Sequence, residues 1–296
     1  MKVALTGAKG FIGSHILTAL QEHGHQVTGL VRDHPESVTA RGGTPAVVDL
    51  YDRPSLVRVL KDADAAIHTA SPGDQTSARL DAAVADAAIE AFAGTGKPHL
   101  HITGAWIYGN NTAISEASPF KAPALVAWKE PIDRRVVEAP GMRGVVIASS
   151  VAYGDGGGGL PGLLLGSPRD AEGNLIMIGS GRQHWSTVHV ADLADVFRRV
   201  LESEAARGYY VVGDGRNPTV AALTEAAAVA VGAPGAVPGS DREIRARVGD
   251  YFAEVLLLDQ GMSAAKAREE LRWQPTHAGL VDELREGSYR KATRVG

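Results

Sequence analysis

The 296-residue chain has no cysteine, which excludes disulfides, thiolate nucleophiles and Cys-ligated metal and fits any compartment. It also has no run or stripe of lysine and arginine. Its 30 basic residues face 34 acidic ones, a net charge of -4, so nothing predicts a nucleic-acid partner. No uncharged apolar run approaches the roughly 18 residues of a membrane span. The opening residues enter a strand without the basic and apolar regions of a signal peptide. The expectation is therefore a cytoplasmic protein with no membrane partner.

What is present is organised around the first fourteen residues. An apolar run, Val3-Ala4-Leu5, enters Thr6-Gly7-Ala8-Lys9-Gly10-Phe11-Ile12-Gly13-Ser14 and then a helical pattern. A strand that opens through glycines into a helix leaves first-turn amides pointing at an anion, and the positive end of the helix dipole adds to them. Gly7 permits the tight turn, Gly10 lets a pyrophosphate approach the backbone, and Gly13 lets the helix lie close on the strand. The spacing is Gly-x-x-Gly-x-x-Gly, not the Gly-x-Gly-x-x-Gly of ordinary dinucleotide folds. A glycine turn of no special function is the competing explanation; its place directly after a strand favours the cofactor.

Downstream, Ile12, Ile16, Leu17 and Leu20 recur at helical spacing up to Gly24, and a second strand is expected over Gln26–Val31. Arg32 stands at its end, where dinucleotide folds meet the adenosine ribose. A guanidinium there suits the 2′-phosphate of NADP, and a carboxylate the ribose hydroxyls of NAD. Arg32 precedes Asp33, so NADP is preferred, with NAD the alternative. Further strands are predicted at Pro45–Val48, Ala65–His68, His99–Thr103 and Gly144–Ser149, with helices over Pro54–Leu60, Ser77–Phe92 and Ile132–Glu138. This alternation predicts an α/β fold with a doubly wound parallel sheet. Ligands lie outside the carboxyl ends of such strands, so Gly7, Arg32, Asp49, His68 and Thr103 share one edge. His68 and His101 have no carboxylate or third histidine at a metal-binding spacing, and no metal is expected. Tyr153–Gly159 is expected to be a mobile substrate lid. Later pieces include a strand turning into a helix over Ser186–Glu204 with Asp192 as its cap. A strand at Tyr209–Val212, a helix over Val220–Val231, a helix capped by Ser263 and a last helix over Ala278–Lys291 complete the pattern.

Thr6-Gly7 through Gly13, Asp49-Leu50, Ile107-Tyr108-Gly109, Val151-Ala152-Tyr153-Gly154 and Val188-His189-Val190-Ala191-Asp192-Leu193-Ala194 together resemble the extended short-chain dehydrogenase/reductase family, the NAD-dependent epimerase/dehydratase group. The resemblance implies a Rossmann domain that binds NAD(P) over residues 1–155 and a smaller α/β, mainly substrate-binding region over 156–296. The second region returns a strand and a helix to the Rossmann sheet near 183–212. The resemblance also implies homodimers paired through two helices per subunit. By the same resemblance Phe11 and Ile12 line the pyrophosphate turn, Asp49 and Leu50 meet the adenine, and His68, Thr69 and Ala70 flank the cofactor. Ser149, Ser150 and Val151 lie near the nicotinamide. Val31 occupies the position where NAD-preferring members carry an acid, which again favours NADP.

The catalytic set departs from the family pattern. Gly104 stands where members carry a serine, and Leu125 stands four residues before Lys129, where they carry the tyrosine that acts as acid or base. The chain thus looks like an atypical member. Lys129 is left to hold the nicotinamide ribose, Thr103 to bind a substrate oxygen, and Tyr108 and Tyr153 to supply a phenol. Trp106, Trp128 and Trp185 are candidates for the walls of a ring or sugar pocket. The expected function is an NADP(H)-dependent oxidoreductase that moves hydride to or from a carbonyl or alcohol carbon of a small cyclic or sugar-like substrate, with a non-standard proton donor. The alternatives are a nucleotide-sugar-type epimerase or dehydratase that keeps its nicotinamide, and a non-redox NADP-binding sensor or repurposed pocket.

Overall fold

In the computed structural model, which describes residues 1–292, seven of the apolar strands join in one sheet. In chain order the main elements are β1 (Lys2–Thr6), α1 (Phe11–Glu22), β2 (Gln26–Val31), β3 (Thr44–Val47), β4 (Ala65–His68), α2 (Ser77–Phe92) and β5 (Pro98–Gly104). They continue with α3 (Lys129–Glu138), β6 (Arg143–Ser149), α4 (Val190–Glu202) and β7 (Gly208–Val212). Across the sheet the order is β7-β6-β5-β4-β1-β2-β3, and every pairing is parallel. The fold is therefore α/β and doubly wound. The winding reverses between β1 and β4, which opens a crevice at the carboxyl ends of those strands.

Side chains alternate across a strand, so each strand feeds two cores. Val3, Leu5, Ile67 and Ile147 meet Ile16, Leu17 and Leu20 of α1 and Val196 and Phe197 of α4. Ala4, Ala66 and Val146 meet Val84, Ala88 and Phe92 of α2 and Ile132 and Val136 of α3. β5 alternates in the same way but carries polar side chains on one face. Leu100 belongs to the first core, and on the opposite, α2/α3 face His99, His101 and Thr103 are all buried.

Beyond β6 the chain builds a third core under the helices Val220–Ala230, Asp241–Val248, Asp250–Leu256 and Leu280–Arg285, around Tyr153, Trp185 and Leu223. Parallel two-strand pairings tie it to the sheet's carboxyl edge: Val151–Tyr153 with Thr187–His189, and Asn111–Ile114 with Gln260–Met262. No described helix is long and apolar enough to cross a membrane.

Four local expectations change. The helix after Ser263 runs over Ala265–Glu270 and starts from Ala264 in the left-handed region (φ 54°), so Ser263 is not its cap. The last helix is split into Leu280–Arg285 and Tyr289–Ala292, because the Glu283 carboxylate folds forward to accept from Ser288 N at 3.0 Å and Ser288 Oγ at 2.8 Å. The cap of α4 is His189, whose Nδ1 accepts from Ala191 N at 3.2 Å. Asp192 instead accepts from Thr276 N at 3.1 Å and His277 N at 3.2 Å and fastens that segment. The glycine-rich loop after Tyr153 is pinned, not a free lid. Gly154 N donates to the Tyr289 hydroxyl at 2.8 Å, that hydroxyl donates to Gly157 O at 2.6 Å, and Gly156 N donates to Ser288 Oγ at 2.9 Å.

Candidate cofactor and substrate site

The turn between β1 and α1 is built so that only glycine fits at two of its positions. Gly7 has φ +74°, and a Cβ there would lie 2.7 Å from Ala70 N and Thr69 C. A Cβ on Gly13 would lie 2.1 Å from Gly7 O. Gly10 is the N-cap of α1 and contributes no side chain, so the first-turn amides of Phe11, Ile12 and Gly13 have no side-chain cap. Such a cradle fits a diphosphate: bare amides, a helix dipole and a backbone that can be approached closely. Phe11 itself packs elsewhere, its ring edge-on to His15 at 5.4 Å and against Gly157, so it serves the turn only through its backbone.

From the turn a cleft of about 670 Å³ runs along the ends of β1 to β4, past Thr69 and Ala70 and out to Arg32, Asp49 and Leu50. Lys9, an unassigned position of the glycine motif, reaches the same rim. Its Nζ donates to Asp33 O at 3.0 Å and pairs with the Asp33 carboxylate. Lys9 beside it holds the Asp33 carboxyl below the usual range. Arg32 lies 3.8 Å from the same carboxylate with 86% of its side chain exposed, leaving its guanidinium open to the cleft. The exposed Asp49 accepts from Tyr51 N at 3.0 Å, and Arg79 lies 4.6 Å over the Tyr51 ring. Lys9, Tyr51 and Arg79 escaped the sequence reading: Lys9 fills a variable slot, and Tyr51 and Arg79 meet only in the fold.

At the carboxyl ends of β5 and β6 lies a second, smaller chamber of about 180 Å³, bounded by Gly104, Ala105, Trp106, Ser149, Ser150, Val151, Leu160, Trp185, Ser186 and Gln260. Gln260 braces it by donating to Ala105 O at 2.9 Å and Gly109 O at 2.8 Å. Trp185 Nε1 donates to Leu256 O at 3.1 Å, and Trp106 meets Phe252 edge-on at 6.1 Å. Trp128 lies outside, packed on the α2/α3 core with its Nε1 donating to Leu125 O. Ser149 Oγ donates to Ser150 O at 2.9 Å, whereas the buried hydroxyls of Ser150 and Ser186 have no protein partner.

The four catalytic candidates fare differently. Tyr108 is buried, its hydroxyl is unpartnered, and burial raises its pKa far above any working pH. Tyr153 is equally buried and donates to Ala278 O at 2.7 Å and Asp214 at 3.3 Å; burial and Asp214 raise its pKa still further. Both phenols are enclosed by protein, and neither lines the cleft or the chamber. Lys129 does not reach toward a ribose. Its Nζ turns under β5 to Asp81 Oδ2 at 2.5 Å and Ile102 O at 3.2 Å. Thr103 is buried on the same face, and its hydroxyl forms no well-aligned hydrogen bond.

Lys129 and Thr103 thus belong to a buried polar cluster between β4, β5, α2 and α3. His68 Nε2 and His101 Nε2 each lie 3.2 Å from one oxygen of Asp81, and His68 Nδ1 shares a 2.7 Å hydrogen bond with Thr6 Oγ1. His68 therefore turns away from the cofactor cleft it was expected to flank. The three groups His68, Asp81 and His101 present ligand atoms within 4.8 Å of one another, a grouping that the sequence spacing did not suggest. The ammonium of Lys129 already supplies the cation on Asp81. Burial alone would raise the Asp81 pKa, but the hydrogen bonds from His101 and His68 and the Lys129 charge outweigh it and hold the carboxyl well below the usual range. Burial keeps His101 neutral by lowering its pKa to about 4.

Asp133 completes the cluster from α3, fully buried, with His101 Nε2 3.8 Å away, the Thr103 hydroxyl beside it and no well-aligned hydrogen bond to either oxygen. Burial pushes its pKa up to about 7, against the pull of Lys129. An unfolded aspartate titrates near 4. Between roughly pH 4 and pH 7 the folded state therefore holds a proton that the unfolded chain has lost, and stability falls as pH rises through that window. Asp133→Asn removes this slope. The variant is expected to gain on the parent by on the order of 4 kcal/mol between pH 4 and pH 8, and any cost of its unpaired amide shifts both ends alike. Urea unfolding at the two pH values checks this; an equal offset at both would refute the neutral carboxyl.

The match to known proteins follows this geometry. Residues 3–213 fit the model of the NAD dependent epimerase/dehydratase family, and the chain belongs to that family. Among its relatives, an uncharacterised protein of Schizosaccharomyces pombe is 29% identical over 98% of this chain and 100% of its own. A 3-diazoavenalumate denitrifying reductase of a Streptomyces species is 27% identical over 96% of this chain and 99% of its own. Among solved structures, the human epimerase family protein SDR39U1 with NADPH superposes with a TM-score of 0.76 at 23% identity, covering 97% of this chain and 99% of that one.

Proposed function

We propose that the protein is an NADP(H)-dependent oxidoreductase that moves hydride to or from a carbonyl or alcohol carbon of a small substrate. The observation that carries this reading is a single carboxyl edge with three stations: Lys9 and Arg32 at its outer end, the amide cradle at Gly7–Gly13, and the chamber beyond Gly104 and Ser149. The cradle would hold the diphosphate, and the two cations the 2′-phosphate. When bound, the nicotinamide supplies or accepts the hydride. The NADPH held by the human structural neighbour and the reductase activity named for the Streptomyces relative support the same reading. The ordinary tyrosine acid is missing, and Tyr108 and Tyr153 are too deeply buried to replace it, so proton supply rests on the chamber and its solvent.

Titration with NADPH and NADH tests the assignment. Arg32→Ala is expected to weaken NADPH by about tenfold, the loss of one charge-assisted contact, while NADH affinity stays within about twofold. Equal weakening of both would overturn the choice of NADP.

A further inference from the structure

We infer that the substrate is an uncharged carbonyl compound the size of a single ring, seated in the chamber between Trp106 and Trp185 with its oxygen on the Ser150 hydroxyl. This rests on the oxidoreductase reading and specifies it. No lysine, arginine, histidine, aspartate or glutamate is among the residues lining the chamber, and its walls are mainly apolar. A carboxylate or diphosphate entering it would lose its water with no charge to meet it, which costs several kcal/mol. The volume of about 180 Å³ sets the size. A dry protein cavity of ~150 Å³ takes a benzene ring, whereas pockets for drug-sized ligands start near ~300 Å³.

The polar groups set the chemistry. Ser150 is nine-tenths buried and lines the chamber, and its hydroxyl, itself covered, has no partner; a buried donor left unpaired is costly unless a ligand completes it. A hydroxyl that must donate calls for an acceptor, and a carbonyl oxygen is the acceptor that an oxidoreductase substrate carries. Trp106 and Trp185 both line the chamber, and the indole N–H of Trp185 is already spent on Leu256 O. In the reducing direction the hydride adds to the carbonyl carbon and the C=O π pair moves to oxygen. That oxygen takes a proton relayed through Ser150 from water, giving the alcohol and the oxidised nucleotide.

Four probes separate this from its rivals: acetophenone and 2-cyclohexenone as neutral rings, benzoylformate as a charged ring, and UDP-glucose. Tryptophan fluorescence reports binding without any nucleotide, and loss of reduced-nicotinamide absorbance reports turnover. The neutral rings are expected to quench the fluorescence and to be reduced, with kcat/KM about 100-fold above benzoylformate and no response to UDP-glucose. Ser150→Ala should lower kcat/KM for the neutral rings by about 100-fold, the cost of one oxyanion donor, a loss far beyond any change in NADPH affinity. Trp106→Leu, at a half-buried site, should raise KM and leave kcat nearly constant. Tight NADPH binding with no response to either neutral ring, equal use of benzoylformate, or an unaffected Ser150→Ala would each overturn the inference and leave the cofactor assignment standing. Failure to bind NADPH while the rings still quench would instead remove the oxidoreductase reading.

Discussion

Gly13→Ala is expected to abolish nicotinamide nucleotide binding, with affinity lowered by more than about 100-fold. The added methyl would sit 2.1 Å from Gly7 O and 2.7 Å from Gly7 C, backbone atoms that cannot rotate aside, and 2.9 Å from Thr69 Oγ1. Relief requires α1 to lift off β1, and that lift moves the amides of the cradle away from the diphosphate. Overpacking of this kind also costs about 1–3 kcal/mol of stability, so a lower Tm accompanies the lost affinity. Gly10→Ala is the contrast. Its Cβ would approach only Gly7 O, at 3.2 Å, and its φ of -72° suits any residue, so the fold tolerates it. NADPH fluorescence titration and thermal melting of the two variants check both statements. Undiminished binding by Gly13→Ala would mean that the nucleotide does not use this turn.

The second large effect falls on stability. Asp81→Ala removes the carboxylate that receives His68, His101 and Lys129, and leaves the mostly enclosed Lys129 ammonium without its paired carboxylate. Breaking a buried pair from one side typically costs about 3–5 kcal/mol, most of it the stranded charge. The double variant Asp81→Ala with Lys129→Met strands no charge, only the His68 and His101 nitrogens that bonded the carboxylate, and it should recover part of the loss. Urea unfolding measures both. A single variant within 1 kcal/mol of the parent, or a double variant no better than the single, would show that the cluster does not depend on this pair.

The parts of the molecule legible in its sequence are those whose reasons are local. β1, the glycine turn and α1 follow from Gly7, Gly10 and Gly13 because each glycine answers a steric demand within a few residues. β2, β4 and α2 are found at the bounds that their apolar patterns predict, Gln26–Val31, Ala65–His68 and Ser77–Phe92. Trp106 and Trp185 were placed on a pocket wall, and both line the chamber; Trp128, singled out for the same reason, does not. What was illegible depends on distant partners. Asp81 meets His68, His101 and Lys129 from four different elements, at separations of 13, 20 and 48 residues, and no pattern in the chain announces that meeting. Tyr108 and Tyr153 look like acids until their burial is seen. Asp192 looks like a helix cap, but its oxygens are claimed from 84 and 85 residues away.

The pinned glycine loop has a consequence for how nucleotide occupancy is felt elsewhere. Gly157 lies against the Phe11 ring at the mouth of the cradle, and the loop is anchored on Tyr289 and Ser288. If steadying the Phe11 turn steadies the Tyr289 segment, then by reciprocity an undocked Tyr289 weakens whatever the turn holds. Slower amide exchange at Gly154 and Gly156 would then record an event at the diphosphate, although neither residue belongs to the nucleotide cleft.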